Sequence, residues 1–176
     1  MEFNQKQLDI MEMNFLALFL TALVPVVIGF IWYGPLLGKA WLKEMGFTKE
    51  SMERKNRALL FILCYVFSLF IAMFLLPATI HQMGVYSTLA GEPGFAESTG
   101  EAFTYFQDFS ANYGDRFRTF KHGAFHGALT GVFLVLPVLA IIAMFEKKSV
   151  KYIAINAGYW IVSLGIMGGL VCQYGI

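Results

Sequence analysis

The chain has 176 residues, of which 57% are hydrophobic and only 14% charged, with a formal net charge of +1. A soluble domain averages about 45–50% apolar and about 25% charged residues, so this composition argues against a soluble fold. A near-neutral chain offers no basic surface for nucleic acid, and two distant cysteines make no disulfide framework.

The apolar residues concentrate in four runs, at 13–34, 58–76, 123–145 and 152–172. Each is near the roughly 20 residues that a helix needs to cross a bilayer. The sequence therefore predicts an all-α, polytopic membrane protein. It forms one domain, 1–176, with spanning helices over about 13–34, 57–79, 121–145 and 150–173.

The first twelve residues carry Glu2, Asp9 and Glu12 against only Lys6. A signal peptide would begin basic and end in a small-residue cleavage site, so the first run is expected to stay as a helix. It contains Pro25 at mid-depth and ends in Trp32-Tyr33-Gly34-Pro35. Trp and Tyr favour the headgroup level, and Gly-Pro stops a helix. In the segment 36–46, Leu36, Leu37, Ala40, Trp41 and Met45 share one helical face, away from Lys39 and Lys43. That pattern predicts a short helix lying in the interface.

The phrase 31–47, Ile-Trp-Tyr-Gly-Pro-Leu-Leu-Gly-Lys-Ala-Trp-Leu-Lys-Glu-Met-Gly-Phe, resembles the signature of domain-of-unknown-function family 1761. The second half agrees, with Pro137 inside a glycine-rich helix, Phe145-Glu146 at its end, and Asn156-Ala-Gly-Tyr159 opening the last helix. The resemblance covers about residues 13–173. The chain departs from it in the residues before Met13 and in its long central loop. It implies a small bacterial membrane protein and supplies no activity.

Basic residues set the orientation, because cytoplasmic loops are enriched in Lys and Arg. The first loop holds Lys39, Lys43, Lys49, Arg54, Lys55 and Arg57, and the third holds Lys147, Lys148 and Lys151. Both are expected to face the cytoplasm of a bacterial inner membrane, with the amino terminus, the central loop and the carboxyl terminus on the other side.

The central loop, about 79–120, is too long for a simple connector. Residues 91–100 read as irregular. From Glu101, Phe103, Phe106, Ser110, Tyr113, Phe117 and Phe120 recur at helical steps, which predicts an amphipathic extracytoplasmic helix over about 101–120. It either caps the bundle or docks a partner or ligand. An echo between Leu23-Val24-Pro25-Val26 and Val135-Leu136-Pro137-Val138 hints at a duplicated hairpin.

In the third span Gly123, Gly127 and Gly131 form one stripe, and His122, His126 and Thr130 form another beside it. The fourth span has Ala154 and Gly158, then Gly165 and Gly169, at the same spacing. Lipid gives little drive for helix association, so small-residue stripes mark where helices touch. They serve either contact between the third and fourth spans or association with other chains.

His81 ends the second span, so all three histidines are expected at the extracytoplasmic end, near Glu12, Cys172 and Gln173. The i, i+4 pair His122 and His126, with His81, is compatible with a metal site. The same residues also suit a headgroup interface, hydrogen-bonded to water. Cys64 and Cys172 lie at different depths, out of disulfide reach. No Asp, Glu, Lys or Arg sits mid-span, which argues against an ion-coupled transporter. No catalytic set or cofactor motif is visible.

The reading from sequence is a non-enzymatic protein that works by association, as a homo-oligomer or an accessory subunit among other membrane proteins and lipid. The alternatives are a small-molecule or lipid-binding protein or permease with an extracytoplasmic pocket, and a histidine metal or haem site. A reporter fused to the carboxyl terminus is expected to be active outside the cytoplasm. Activity inside the cell would overturn the orientation.

Overall fold

A computed structural model describes residues 12–48 and 56–176. The acidic stretch with Glu2, Lys6 and Asp9, and the loop residues Lys49, Glu50, Arg54 and Lys55, lie outside the described residues. Within them, four helices are long and apolar enough to cross a membrane: α1 (Phe15–Leu36), α3 (Arg57–Thr79), α6 (Phe120–Phe145) and α7 (Val150–Tyr174). Three shorter helices join them: α2 (Gly38–Met45), α4 (Gln82–Leu89) and α5 (Gly100–Tyr113).

Each spanning helix starts on a side chain that accepts a backbone N–H, or close to one. Asn14 accepts from Ala17, Asn56 from Leu59, Thr119 from His122 and Ser149 from Tyr152. These are the residue types that satisfy the orphan donors of a helical first turn. α1 is interrupted between Thr21 and Val24, just before Pro25, whose ring removes one helical hydrogen bond.

The Gly34-Pro35 pair breaks the regular helix as expected: Gly34 leaves helical geometry, at φ −99° and ψ −106°, inside a widened turn over Trp32–Leu36 where the Leu37 N–H bonds to Trp32 O at 2.8 Å, five residues back. α2 then begins at once and ends at Gly46, whose φ of +69° gives the left-handed turn that glycine tolerates best. α6 widens in the same way at Gly131–Val135, immediately before Pro137. A proline ring crowds the carbonyl four residues back, and a five-residue turn relieves that clash.

The stretch expected to be irregular, 91–100, is turns and bends up to Thr99, and α4, which the sequence did not suggest, precedes it. The helix expected over 101–120 stops at Tyr113. Phe117 follows with a φ of +64°, and Thr119 opens α6. The aromatic spacing runs through this turn because Phe117 and Phe120 pack elsewhere, so periodicity alone did not reveal the break.

The spanning helices alternate in direction. The Asn14 N–H bonds to Gly175 O at 2.9 Å, which places the start of α1 beside the end of α7. At the opposite end Glu44 of α2 pairs with Lys151 at 3.6 Å and accepts from the Ser149 hydroxyl. α4 follows the end of α3 and packs against α5.

α7 is the axis. About 56% of its apolar window is buried, against 22% for α1 and α3 and 11% for α6. Leu75, Leu76 and Ile80 meet Leu164, Met167 and Val171 in the main core. α6 touches α7 along a narrow seam and leaves Phe125, Phe133 and Phe145 exposed, as suits a helix facing lipid tails.

At that seam the backbones nearly touch. A Cβ added at Gly127 would land on Leu164 O, and one at Gly123 on Gly168 O. Gly165, by contrast, has ordinary contact distances of 3.6 Å to Ala124 O and 3.8 Å to the Ala128 Cβ. Gly127→Ala is therefore expected to cost about 1–3 kcal/mol through overpacking. Gly165→Ala is expected to be neutral or to stabilise by up to about 1 kcal/mol, because alanine is the better helix former. Thermal unfolding in detergent distinguishes them, and equal midpoints would remove the seam as the cause.

Candidate metal centre

Two elements supply the histidines. Ile80 leaves α3 in an extended conformation and is fully buried. Gln82 is also buried, and its Nε2 donates to Tyr113 O and Arg116 O, each at 2.8 Å. His81, held between these two anchors, is exposed. His122 and His126 each precede a seam glycine on α6. They lie about 100° round the helix from the α7 contact, on the face toward the end of α3.

The three rings converge. His122 Nε2 lies 3.0 Å from His81 Nε2, and one ring nitrogen from each histidine falls within 4.8 Å of the others. Ring centroids are 5.0 Å apart for His81–His122, 5.0 Å for His81–His126 and 4.5 Å for His122–His126. A tetrahedral ion with metal–nitrogen bonds of about 2.0–2.1 Å needs ligand nitrogens ~3.4 Å apart, which small rotations of these rings provide. Two imidazole nitrogens at 3.0 Å need a shared proton or a shared cation, because two facing lone pairs repel. The donor set is all imidazole nitrogen, which suits zinc, nickel, copper or cobalt and not calcium or magnesium.

Phe117 stacks on His122 with centroids 5.1 Å apart, and His81 meets it edge-on at 6.4 Å. The Arg116 guanidinium covers the same phenyl ring at 5.5 Å. Cys172 and Gln173, which share this end of the bundle, hold its frame. The Cys172 thiol donates to Thr79 O and Phe117 O at 3.4 Å, and Gln173 Oε1 accepts the Phe120 N–H at 3.2 Å. Both Cys64 and Cys172 are free thiols.

The glycines singled out by spacing are divided among several contacts. Gly123, Gly127 and Gly131 face α7, and Gly165 faces α6. Gly158 receives the Trp32 ring of α1, and Gly169 receives the Phe120 ring. Gly168, which spacing did not single out, also lies in the seam, against Gly123 and Gly127.

Phe117, Gln82 and Arg118 were also missed as parts of this region. Phe117 read as one more aromatic of a helix. Arg118 read as a loop charge, yet its Nε and Nη2 donate to Cys172 O and Ile176 O at 2.7 Å, at the carbonyl end of α7. A cation is favoured there by the helix dipole. Burial pushes the Arg118 pKa down from its ordinary value, and Cys172 and Asp115 oppose that shift.

The phrase 31–47 folds as the widened turn and α2, and it is bonded to the second half of the chain. The Trp32 indole donates to Ile155 O at 3.0 Å, and the Tyr33 hydroxyl donates to Asn156 Oδ1 at 2.9 Å. A family model, protein of unknown function (DUF1761), matches residues 16–172. The chain belongs to this family. The match runs from α1 to Cys172, so the DUF1761 region contains all three histidines and the seam glycines. Neither the curated proteins nor the solved structures compared with the chain gave a match.

Arg118→Met leaves two carbonyls without their charged donor and is expected to destabilise the protein by about 1.5–3 kcal/mol. Thermal unfolding measures this, with Arg118→Lys restoring only part. An unchanged midpoint would show that water replaces the guanidinium at no cost.

Proposed function

We propose that this DUF1761 protein is a multi-pass inner-membrane protein that binds a transition-metal ion reversibly through His81, His122 and His126. The observation that carries this reading is the convergence of three ring nitrogens from two separate elements within 4.8 Å. The basic residues at the opposite end support an extracytoplasmic position for the site, with both chain ends on that side.

The chemistry follows from the ligands. Three neutral imidazoles leave the full charge of a divalent ion in place, and one coordination position stays open toward water. Ligating histidines usually donate their second N–H to a carboxylate or carbonyl, and such support is worth about 10–100-fold in affinity. Here the rings lean on one another and on Phe117 instead. An affinity about 10–100-fold weaker than that of a site with such support, suited to capture and release, is expected.

This reading is favoured over association because the glycines that suggested association are engaged within the chain. Association keeps the outward aromatic face of α6 as its support. A binding pocket remains the alternative, with the open hollow along α5 lined by Gly100, Glu101, Thr104, Tyr105 and Asp108 as its support.

The test is calorimetric titration of tag-free, chelator-stripped protein in lipid nanodiscs with Zn²⁺, Ni²⁺ and Cu²⁺. One equivalent of at least one ion is expected to bind, His126→Ala is expected to weaken it at least about tenfold, and the triple alanine variant is expected not to bind. Absence of saturable binding by all three ions would overturn the proposal. So would unchanged binding by a triple variant with an unaltered circular dichroism spectrum.

A further inference from the structure

α4, the turns at 90–99 and α5 form a small cap with its own core, in which Phe95, Phe103 and Phe106 pack against Val85 and Leu89. That core is distinct from the one around α7, which α4 touches through Met83 next to Ile80. The cap joins the spanning helices through two chain crossings, at 80–82 and 114–119. Both pass the histidine cluster. The first contains His81, and the second contains Phe117, which stacks on His122. Gln82 stitches the crossings together through Tyr113 O and Arg116 O.

We infer that a metal ion bound at His81, His122 and His126 clamps the α4–α5 cap onto α6, so that metal occupancy controls how firmly the cap is held. This rests on the metal-binding reading above. His122 and His126 belong to one helix and stay together whatever the cap does. His81 joins them only while the first crossing is docked, so the complete ligand set exists only in the docked arrangement. A ligand that binds one arrangement better shifts the population toward it by the ratio of the two affinities. At free metal about 100 times the dissociation constant, cap opening is suppressed about 100-fold if the undocked arrangement binds no metal. The paired histidines left on α6 retain some affinity, so the observed suppression is expected between about 10-fold and 100-fold.

Hydrogen–deuterium exchange of the nanodisc-embedded protein, with and without saturating Zn²⁺, tests the inference. Amides of α4, α5 and the two crossings are expected to exchange about 10–100-fold more slowly with Zn²⁺, while the middle of α7 is unchanged. A chelator is expected to restore the faster exchange in the same sample. His81→Ala, an exposed position, is expected to abolish the protection of the cap, whereas Gln82→Ala is expected to speed exchange without metal and still allow Zn²⁺ to protect. Calorimetric binding of one Zn²⁺ with no change in cap exchange overturns the clamp and leaves the binding site standing. Failure to bind Zn²⁺, Ni²⁺ or Cu²⁺ at all overturns both. Protection that persists in His81→Ala, with its metal-free exchange unchanged, also overturns the clamp.

Discussion

The close approach of the α6 and α7 backbones is the constraint on which the rest depends. Lipid tails are as apolar as the side chains they surround, so helices in a bilayer gain little by hiding from them and must gain by packing. Gly123, Gly127 and Gly168 remove the atoms that would hold two backbones apart. α6 therefore adheres to α7 along a thin strip while most of its surface stays outside the protein. The same strip fixes the rotation of α6 about its own axis. Rotation decides which way His122 and His126 point, so a packing feature sets the chemistry.

α7 organises the other helices by a different means. Its first half carries polar groups that bond to α1, through Asn156 with Tyr33, Tyr159 with Pro25 O, and the Ile155 carbonyl with the Trp32 indole. Its second half carries the apolar core shared with α3. Hydrogen bonds thus orient one end of the bundle and packing orients the other. Arg118 closes the far end by donating to Cys172 O in the last turn of α7 and to Ile176 O just beyond it. The widened turn before Pro137 lets α6 keep its course past a residue that would otherwise break it, whereas the turn around Pro35 kinks at Gly34 and hands the chain to α2.

The histidine cluster stands where three features of the fold meet: the end of α3, the start of α6 and the crossings to the cap. Two histidines on one rigid helix and one on a junction make a cluster whose completeness depends on tertiary structure. On the proposed metal reading, an imidazole ligand set brings no negative charge to the edge of the apolar layer, and the ion brings the charge when it binds. That is a gentler demand on the membrane than a carboxylate set would be.

Family membership, the four spans and their lengths were legible in the sequence. They follow from local properties: apolar run length and a contiguous motif at 31–47. The i, i+4 pairing of His122 and His126 was legible for the same reason, since one helix dictates it. What only the tertiary structure decided is the company those residues keep. His81 lies 41 positions from His122, and no local rule says that the end of α3 reaches α6 and not another helix. Spacing marked Gly158 and Gly165 alike, yet one holds a tryptophan of α1 and the other faces α6. Periodicity measures which residues share a face; which neighbour covers that face is set by the packing of the whole chain, and that information is not local.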